Sequence, residues 1–294
     1  MHIRRSILAM LAALILFTGC ANAQEPSHIK DVVYAHKLGV ALTMDVFKPA
    51  KPNGIGVIWM VSGGWVSNYD NINPAWAKVF TDRGQTVFDV VHGSQPRFFL
   101  PEIIQDIHRS VRFIRTHAKE YGVNPDRLGI SGGSAGGHLS LMMGSYGGPG
   151  NPNARDPVER ASSEVEAAAC FFPPTDFLNY GAEGKISLDE PMLKPYHHVF
   201  AIPDTASKED KEKGLRPLSP IYGISKKTPP TLIIHGEADT LVPIQQSERY
   251  LARLKEEGVE TKLVRRPDKG HGWPGIEQDL ALLADWFDSH LGRH

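Results

Sequence analysis

Ser134 lies in Gly132-Gly133-Ser134-Ala135-Gly136, a G-x-S-x-G pattern whose chemistry would be nucleophilic attack by a serine hydroxyl. With 28 glycines in the chain the pattern can arise by chance, so its surroundings have to decide. "RLGI" before it and "HLSLMM" after it read as a strand running into a helix, the sharp turn on which such a serine is raised. The start of that helix would aim its positive end and the Ala135 amide at an oxyanion formed beside Ser134. A phosphate cradle needs G-x-G-x-x-G in register or G-x-x-x-x-G-K-[ST], and Ser131 and the missing lysine break both.

A serine hydroxyl is a poor nucleophile at neutral pH and needs a histidine base oriented by a carboxylate, here later in the chain and in the order Ser, Asp, His. Asp239 follows the strand-like "TLIIH", at the strand's C-terminal end, where open parallel sheets place their sites. His271 follows "TKLVRR" and stands between Gly270 and Gly272 on a second loop. Either residue alone has an ordinary reading as a turn or solvated loop side chain; the order and placement of the three single them out. Asp176 and Asp268 are the rival acids, and His138 and His235 the rival bases. His138 falls on the helix just past the turn, where packing is the simpler role, and His235 ends a strand beside Gly236.

A tetrahedral intermediate also needs a second amide donor, and the apolar strand "GVIWMV" runs into Ser62-Gly63-Gly64-Trp65, where Gly63 and Gly64 let backbone amides come close. Trp65 and Trp273 are the candidates for a substrate pocket. No cofactor is implied. Metal chemistry is poorly supported: the 13 histidines include one adjacent pair, His197-His198, and there is neither an H-E-x-x-H motif nor a cysteine ligand set.

These residues need a frame. "DVVYAH", "ALTMDVF", "GVIWMV", "QTVFDVV", "RLGI", "VEAAACFF", "TLIIH" and "TKLVRR" read as strands. Between them, "NPAWAKVFTDRG" reads as a helix from Pro74 to a stop at Gly84. Ile103, Ile104, Ile107, Val111 and Ile114 recur at helical spacing over 101–117, and Ile244, Tyr250, Leu251 and Leu254 do so in "IQQSERYLARLKEEG", with Gly258 as the stop. Ile276, Leu280, Leu283, Phe287 and Leu291 mark a last helix. The alternation predicts an α/β fold, a mostly parallel sheet covered on both faces. Residues 173–230, rich in proline, glycine and charge, show no period and read as an irregular, lid-like insertion.

The chain has 294 residues, and its 32 Lys and Arg nearly cancel 33 Asp and Glu, so nothing electrostatic argues for nucleic acid. Arg4 and Arg5 precede an apolar run from Ile7 to Phe17 and small residues, which is a signal peptide too short for a stable membrane span. Two processing routes fit: cleavage after Ala23, giving a signal over 1–23 and a single domain over 24–294, or a lipoprotein signal over 1–19 with a lipid anchor on Cys20. Arg4-Arg5 with Ser6-Ile7-Leu8 is also similar to a short twin-arginine signal. The protein is expected to be exported to the periplasm or the medium. Of its two cysteines only Cys170 falls in the domain, in apolar "AAACFF", so no internal disulfide is available and an inert buried thiol is expected.

The blocks "NPDRLGISGGSAGGHLSL", "FFPPTDF", "LSPIYGISKKTPPTLIIHGEADTLVPIQQSERY" and "GHGW" resemble the α/β-hydrolase superfamily. Within it they are similar to secreted feruloyl and acetyl-xylan esterases and to hormone-sensitive-lipase-like enzymes, and more distantly to prolyl oligopeptidases. The resemblance spans most of the chain from about Gly56. It implies Ser134 as nucleophile, Asp239 as acid, His271 as base, and oxyanion amides from Gly63, Gly64 and Ala135. It implies a small-molecule or carbohydrate ester substrate, with a serine peptidase and a catalytically silent binding protein as the alternatives. One departure stands out: those families write H-G-G-G-W or H-G-G-A-W where this chain has Val61-Ser62-Gly63-Gly64-Trp65, which removes the loop's usual anchoring histidine.

Overall fold

The computed structural model describes residues 26–292; the signal segment over 1–23 and Cys20 lie outside them. The chain enters as a hairpin, β1 (Ser27–Lys37) and β2 (Val40–Lys48), turned at Leu38 and Gly39, both at positive φ. The apolar run then forms β3 (Gly54–Met60), followed by α1 (Pro74–Thr81) and β4 (Thr86–Val90). Next come α2 (Leu100–His117), β5 (Val123–Gly133), α3 (Ala135–Tyr146) and β6 (Ala167–Phe171). A short α4 (Lys208–Leu215) lies in the insertion, and β7 (Thr231–Gly236), α5 (Gln245–Glu256), β8 (Thr261–Arg266) and α6 (Leu280–Leu291) complete the chain.

The strands form one eight-stranded sheet in the order β1-β2-β4-β3-β5-β6-β7-β8. From β4 to β8 every pairing is parallel, while β2 is antiparallel to both its neighbours. Every residue of β4, β6 and β7 is buried, as continuous apolar runs require when helices cover both faces. Alternate strand residues divide two cores. Ile58, Phe88, Ile130 and Ile233 meet α2, α3 and α5, while Val57, Val87, Ala169 and Ile234 meet α1 and α6. Cys170 is fully buried within β6, where burial pushes its thiol well above the ordinary range.

The insertion is more ordered than its sequence suggests. Besides α4 it contains 3₁₀ turns over Ser187–Asp189, Pro191–Phe200, Arg216–Leu218 and Pro220–Gly223, whose three-residue repeat, broken by prolines, leaves no helical period. Leu193, Val199, Phe200, Leu215 and Leu218 bury into the α3 side of the core. Gln246 of α5 fixes the insertion's start, its Oε1 accepting from the Thr175 amide at 2.9 Å and the Asp176 amide at 2.8 Å. The segment thus packs as a wall against the α3 side of the domain. Among the described residues no helix is long and apolar enough to cross a membrane.

Candidate active site

Ser134 caps α3 directly after β5, with φ 54 and ψ −118. A non-glycine residue adopts this conformation only when its surroundings impose it. A Cβ on Gly132 would lie 2.6 Å from the Gly136 carbonyl carbon, and one on Gly136 would lie 2.6 Å from the Met60 carbonyl oxygen. The pattern's glycines therefore serve backbone-to-backbone contact. Gly136→Ala is expected to cost about 3 kcal/mol, read as a lower midpoint in thermal and urea melts, because the opposing atom is fixed backbone. Gly148→Ala, where the new Cβ meets nothing within 4 Å, is the neutral control.

Asp239, His271 and Ser134 form one hydrogen-bonded row. His271 Nδ1 lies 2.7 Å from Asp239 Oδ2 and its Nε2 lies 2.8 Å from Ser134 Oγ. A carboxylate only accepts, so Nδ1–H donates to Asp239 and Nε2 is left to take the serine proton. The Phe172 ring packs on the imidazole at 4.5 Å between centroids and limits its rotation. Asp239 Oδ1 accepts from the amides of Leu241 and Val242, each at 2.9 Å. Burial pushes the Asp239 carboxyl up, but hydrogen bonds from His235 and His271 and the Val242 amide outweigh it and bring the pKa to about 2.

The rival acids and bases occupy other places. Asp176 is buried and accepts from Tyr222 and Arg249, and Asp268 is an exposed turn residue at φ 58. His235 donates from Nε2 to the Val242 carbonyl at 2.8 Å, lies 3.3 Å from Asp239 Oδ2 and takes the Ser247 hydroxyl at Nδ1, so it braces the acid. His138 is buried in α3, its Nδ1 accepting from the Trp65 indole at 3.2 Å and its Nε2 donating to the Leu218 carbonyl at 2.8 Å. Burial lowers its pKa to about 4, so it is neutral at pH 7.

Two corrections concern the neighbouring groups. Gly63 is not free to serve as an oxyanion donor, because its N–H donates to the Val66 carbonyl at 3.0 Å and closes a turn with Gly64 and Trp65 at positive φ. Among the described residues the Gly64 and Ala135 amides carry no partner, and both line the cavity beside Ser134. Trp273 does not line that cavity. Its ring packs against Phe171 and Phe172 and its Nε1–H donates to Asp279 at 3.2 Å, while Trp65 does form part of the wall. The cavity measures about 270 Å³ and is mainly apolar, with Pro174, Leu193, Tyr196 and Leu241 among its lining residues. Tyr196 and Leu193 come from the insertion, where no sequence pattern marks them.

The sequence profile of the BD-FAE family matches residues 44–254. The chain belongs to the BD-FAE family. Among its relatives, the probable carboxylic ester hydrolase LipM of Mycobacterium tuberculosis (strain ATCC 25618 / H37Rv) is 32% identical over 55% of this chain and 35% of LipM. An acetylxylan esterase of Xylanibacter ruminicola is 25% identical over 84% of this chain and 45% of that enzyme. This chain thus spans less than half the length of either relative. A truncated carbohydrate esterase from gut microbiota superposes with a TM-score of 0.77 at 24% identity, covering 93% of this chain and 99% of the other, and shares its α/β-hydrolase fold.

In this BD-FAE protein the loop without its usual histidine is anchored from the strand next door. His92, just past β4, lies 2.8 Å from Ser62 Oγ through Nε2 and donates from Nδ1 to the Gly93 carbonyl at 2.7 Å. With Nδ1 protonated, Nε2 accepts the Ser62 hydroxyl. Burial lowers the His92 pKa to about 4, which keeps the ring in this neutral form. Ser67 Oγ donates to the Val61 carbonyl, and Gln95 Nε2 donates to the Gly64 carbonyl at 2.7 Å. The signal for His92 was its position: a polar residue at the C-terminal end of a buried strand.

Proposed function

We propose that this BD-FAE protein is a serine carboxylic-ester hydrolase working through an acyl-enzyme on short-acyl esters, carbohydrate-linked ones included. The observation that carries the reading is the unbroken Asp239–His271–Ser134 row beside a small apolar cavity with two unpartnered amides. His271 takes the Ser134 proton as Oγ bonds to the ester carbonyl carbon, and the resulting oxyanion accepts from the Gly64 and Ala135 amides. The imidazolium then protonates the departing alcohol as the ester C–O bond breaks. Water, deprotonated by His271, adds to the acyl-enzyme, and the acid leaves as Ser134 regains its proton. The esterase names of LipM and the acetylxylan esterase support the class of reaction.

The apolar wall and the cavity volume favour a short acyl group. Purified protein is expected to hydrolyse p-nitrophenyl acetate and butyrate well and the laurate poorly, and to deacetylate xylo-oligosaccharides. Failure to turn over any ester, or equal rates on peptide anilides, would overturn the proposal. Export is part of the same reading, on the charge and apolar run of the N-terminus; the mass of the mature chain from cell fractions separates cleavage after Ala23 from acylation at Cys20.

His92→Ala is expected to lower kcat about tenfold with KM little changed. It removes the acceptor that fixes Ser62, and the Gly64 amide then loses its aim at a charge present only in the transition state. Steady-state kinetics on p-nitrophenyl acetate check this, and His92→Gln, which restores an acceptor, should recover part of the loss.

A further inference from the structure

A second cavity, of about 160 Å³, lies between β3, β4 and α1 and shares no wall with the Ser134 pocket. Exposed Asn71 and Asn73 stand at its mouth, Trp59, Trp76 and Phe80 form walls, and Asp89 lines it from β4. Trp59 and Trp76 meet at 88° with ring centroids 5.4 Å apart, so the two indoles make a corner. It is on the α1 and α6 side of the sheet, away from α3.

Asp89 is hard to explain as a structural residue. It is 4% exposed and sits directly opposite Asp45 on the antiparallel strand β2, a juxtaposition of acids that destabilises a sheet. Asp45 is satisfied: it accepts from the Tyr69 hydroxyl at 2.7 Å, the Asp31 amide at 3.1 Å and His28. The Asp89 carboxyl has no hydrogen-bond or ion-pair partner among the described residues. Burial, and then the Asp45 charge, hold its pKa well above the usual carboxylate range. Apart from Asp89 itself, no ionisable side chain among the described residues lines the cavity, and among them Asp45, with His28 and Tyr69 on it, is the charged group facing Asp89.

A buried, unpartnered carboxyl under a negative potential, walled by indole faces, is complementary to a cation with an apolar skin. We infer that this cavity binds a small organic ammonium ion, its charge held in the corner of Trp59 and Trp76 and against the Asp89 carboxyl, its alkyl groups on Phe80 and Val87. An inorganic metal ion fits poorly, since no group of three or more His, Cys, Asp or Glu able to hold one occurs among the described residues. An anion is repelled, and a neutral sugar gains nothing from the charge. On binding, the cation favours ionised Asp89, whose proton leaves to solvent.

Choline chloride titrated into the full chain at constant ionic strength, followed by tryptophan fluorescence, tests the site. A saturable change is expected with a Kd of about 1 mM. The uncharged isostere 3,3-dimethylbutan-1-ol should bind at least about tenfold more weakly, and Asp89→Asn should weaken choline by about the same factor. The thermal midpoint of Asp89→Asn, expected at or above the parent's, shows that the variant is folded, and its rate on p-nitrophenyl acetate should equal the parent's. No saturable response, equal binding of the neutral isostere, or unchanged affinity in Asp89→Asn would overturn the inference. A response to xylose but not to choline would overturn it too and assign the cavity to a neutral sugar. None of the binding outcomes depends on whether Ser134 hydrolyses esters.

Discussion

Ser134→Ala is expected to lower kcat/KM on p-nitrophenyl acetate by about 10⁵-fold, because the proposed acyl-enzyme cannot form without Oγ and only the amides and the cavity remain to act on the ester. The thermal midpoint should barely move. Alanine has to adopt the same φ of 54 that serine does, so the strain of the turn persists. Ser134→Gly separates the two effects: it should be equally inactive yet melt about 2–4 °C higher, since glycine relieves about 1 kcal/mol at that conformation. Activity remaining near the parent level in Ser134→Ala would remove the serine mechanism altogether.

Asp239→Asn is expected to cost about 10⁴-fold in kcat with little change in KM. The carboxamide can present N–H to His271 Nδ1 and so hold the ring in the tautomer that cannot accept the Ser134 proton. Stability should change as well, with a definite pH signature. The Asp239 carboxyl titrates near 2 in the folded chain against about 3.8 for the ordinary group. A folded pKa below the unfolded one stabilises the protein above pH 4, and that contribution fades as pH falls from 4 through 2. It amounts to about 2 kcal/mol. Urea melts at pH 7 should therefore find the variant less stable, and melts near pH 3 should find the gap narrowed. A constant gap between these pH values would mean that the carboxylate's charge is not what stabilises this corner.

What could be read from the sequence follows from what each feature needs. Strands β3, β6 and β7 are buried on both faces, so unbroken apolar runs mark them, and α2 buries one stripe, so its period shows. Ser134, Asp239 and His271 stood out as a set because each follows its own strand and the sheet is parallel there. Where the frame is less regular the reading failed. The Pro191–Phe200 turn repeats every three residues and hid Leu193 and Tyr196. Which of two adjacent glycine amides is free depends on a turn closed by the Val66 carbonyl, a tertiary detail that Gly63-Gly64 does not encode. Trp273 follows the His271 loop and is adjacent in sequence to the site, but the pull of Asp279 and the Phe171 ring turns its indole into the core.

The loops around the serine are pinned by imidazoles: His92 accepts from Ser62, and His138 accepts from Trp65 while donating to Leu218. Both rings titrate near pH 4 in the folded chain against 6.5 for a free histidine. Folded pKa values below the unfolded ones mean that the unfolded chain takes up protons first as the medium acidifies. Each ring then costs about 3 kcal/mol of stability between pH 6.5 and 4. Two such losses approach the whole stability of an ordinary domain. With neutral rings as its fasteners the protein has an acid floor: its thermal midpoint is expected to fall steadily as pH drops from 6.5 towards 4.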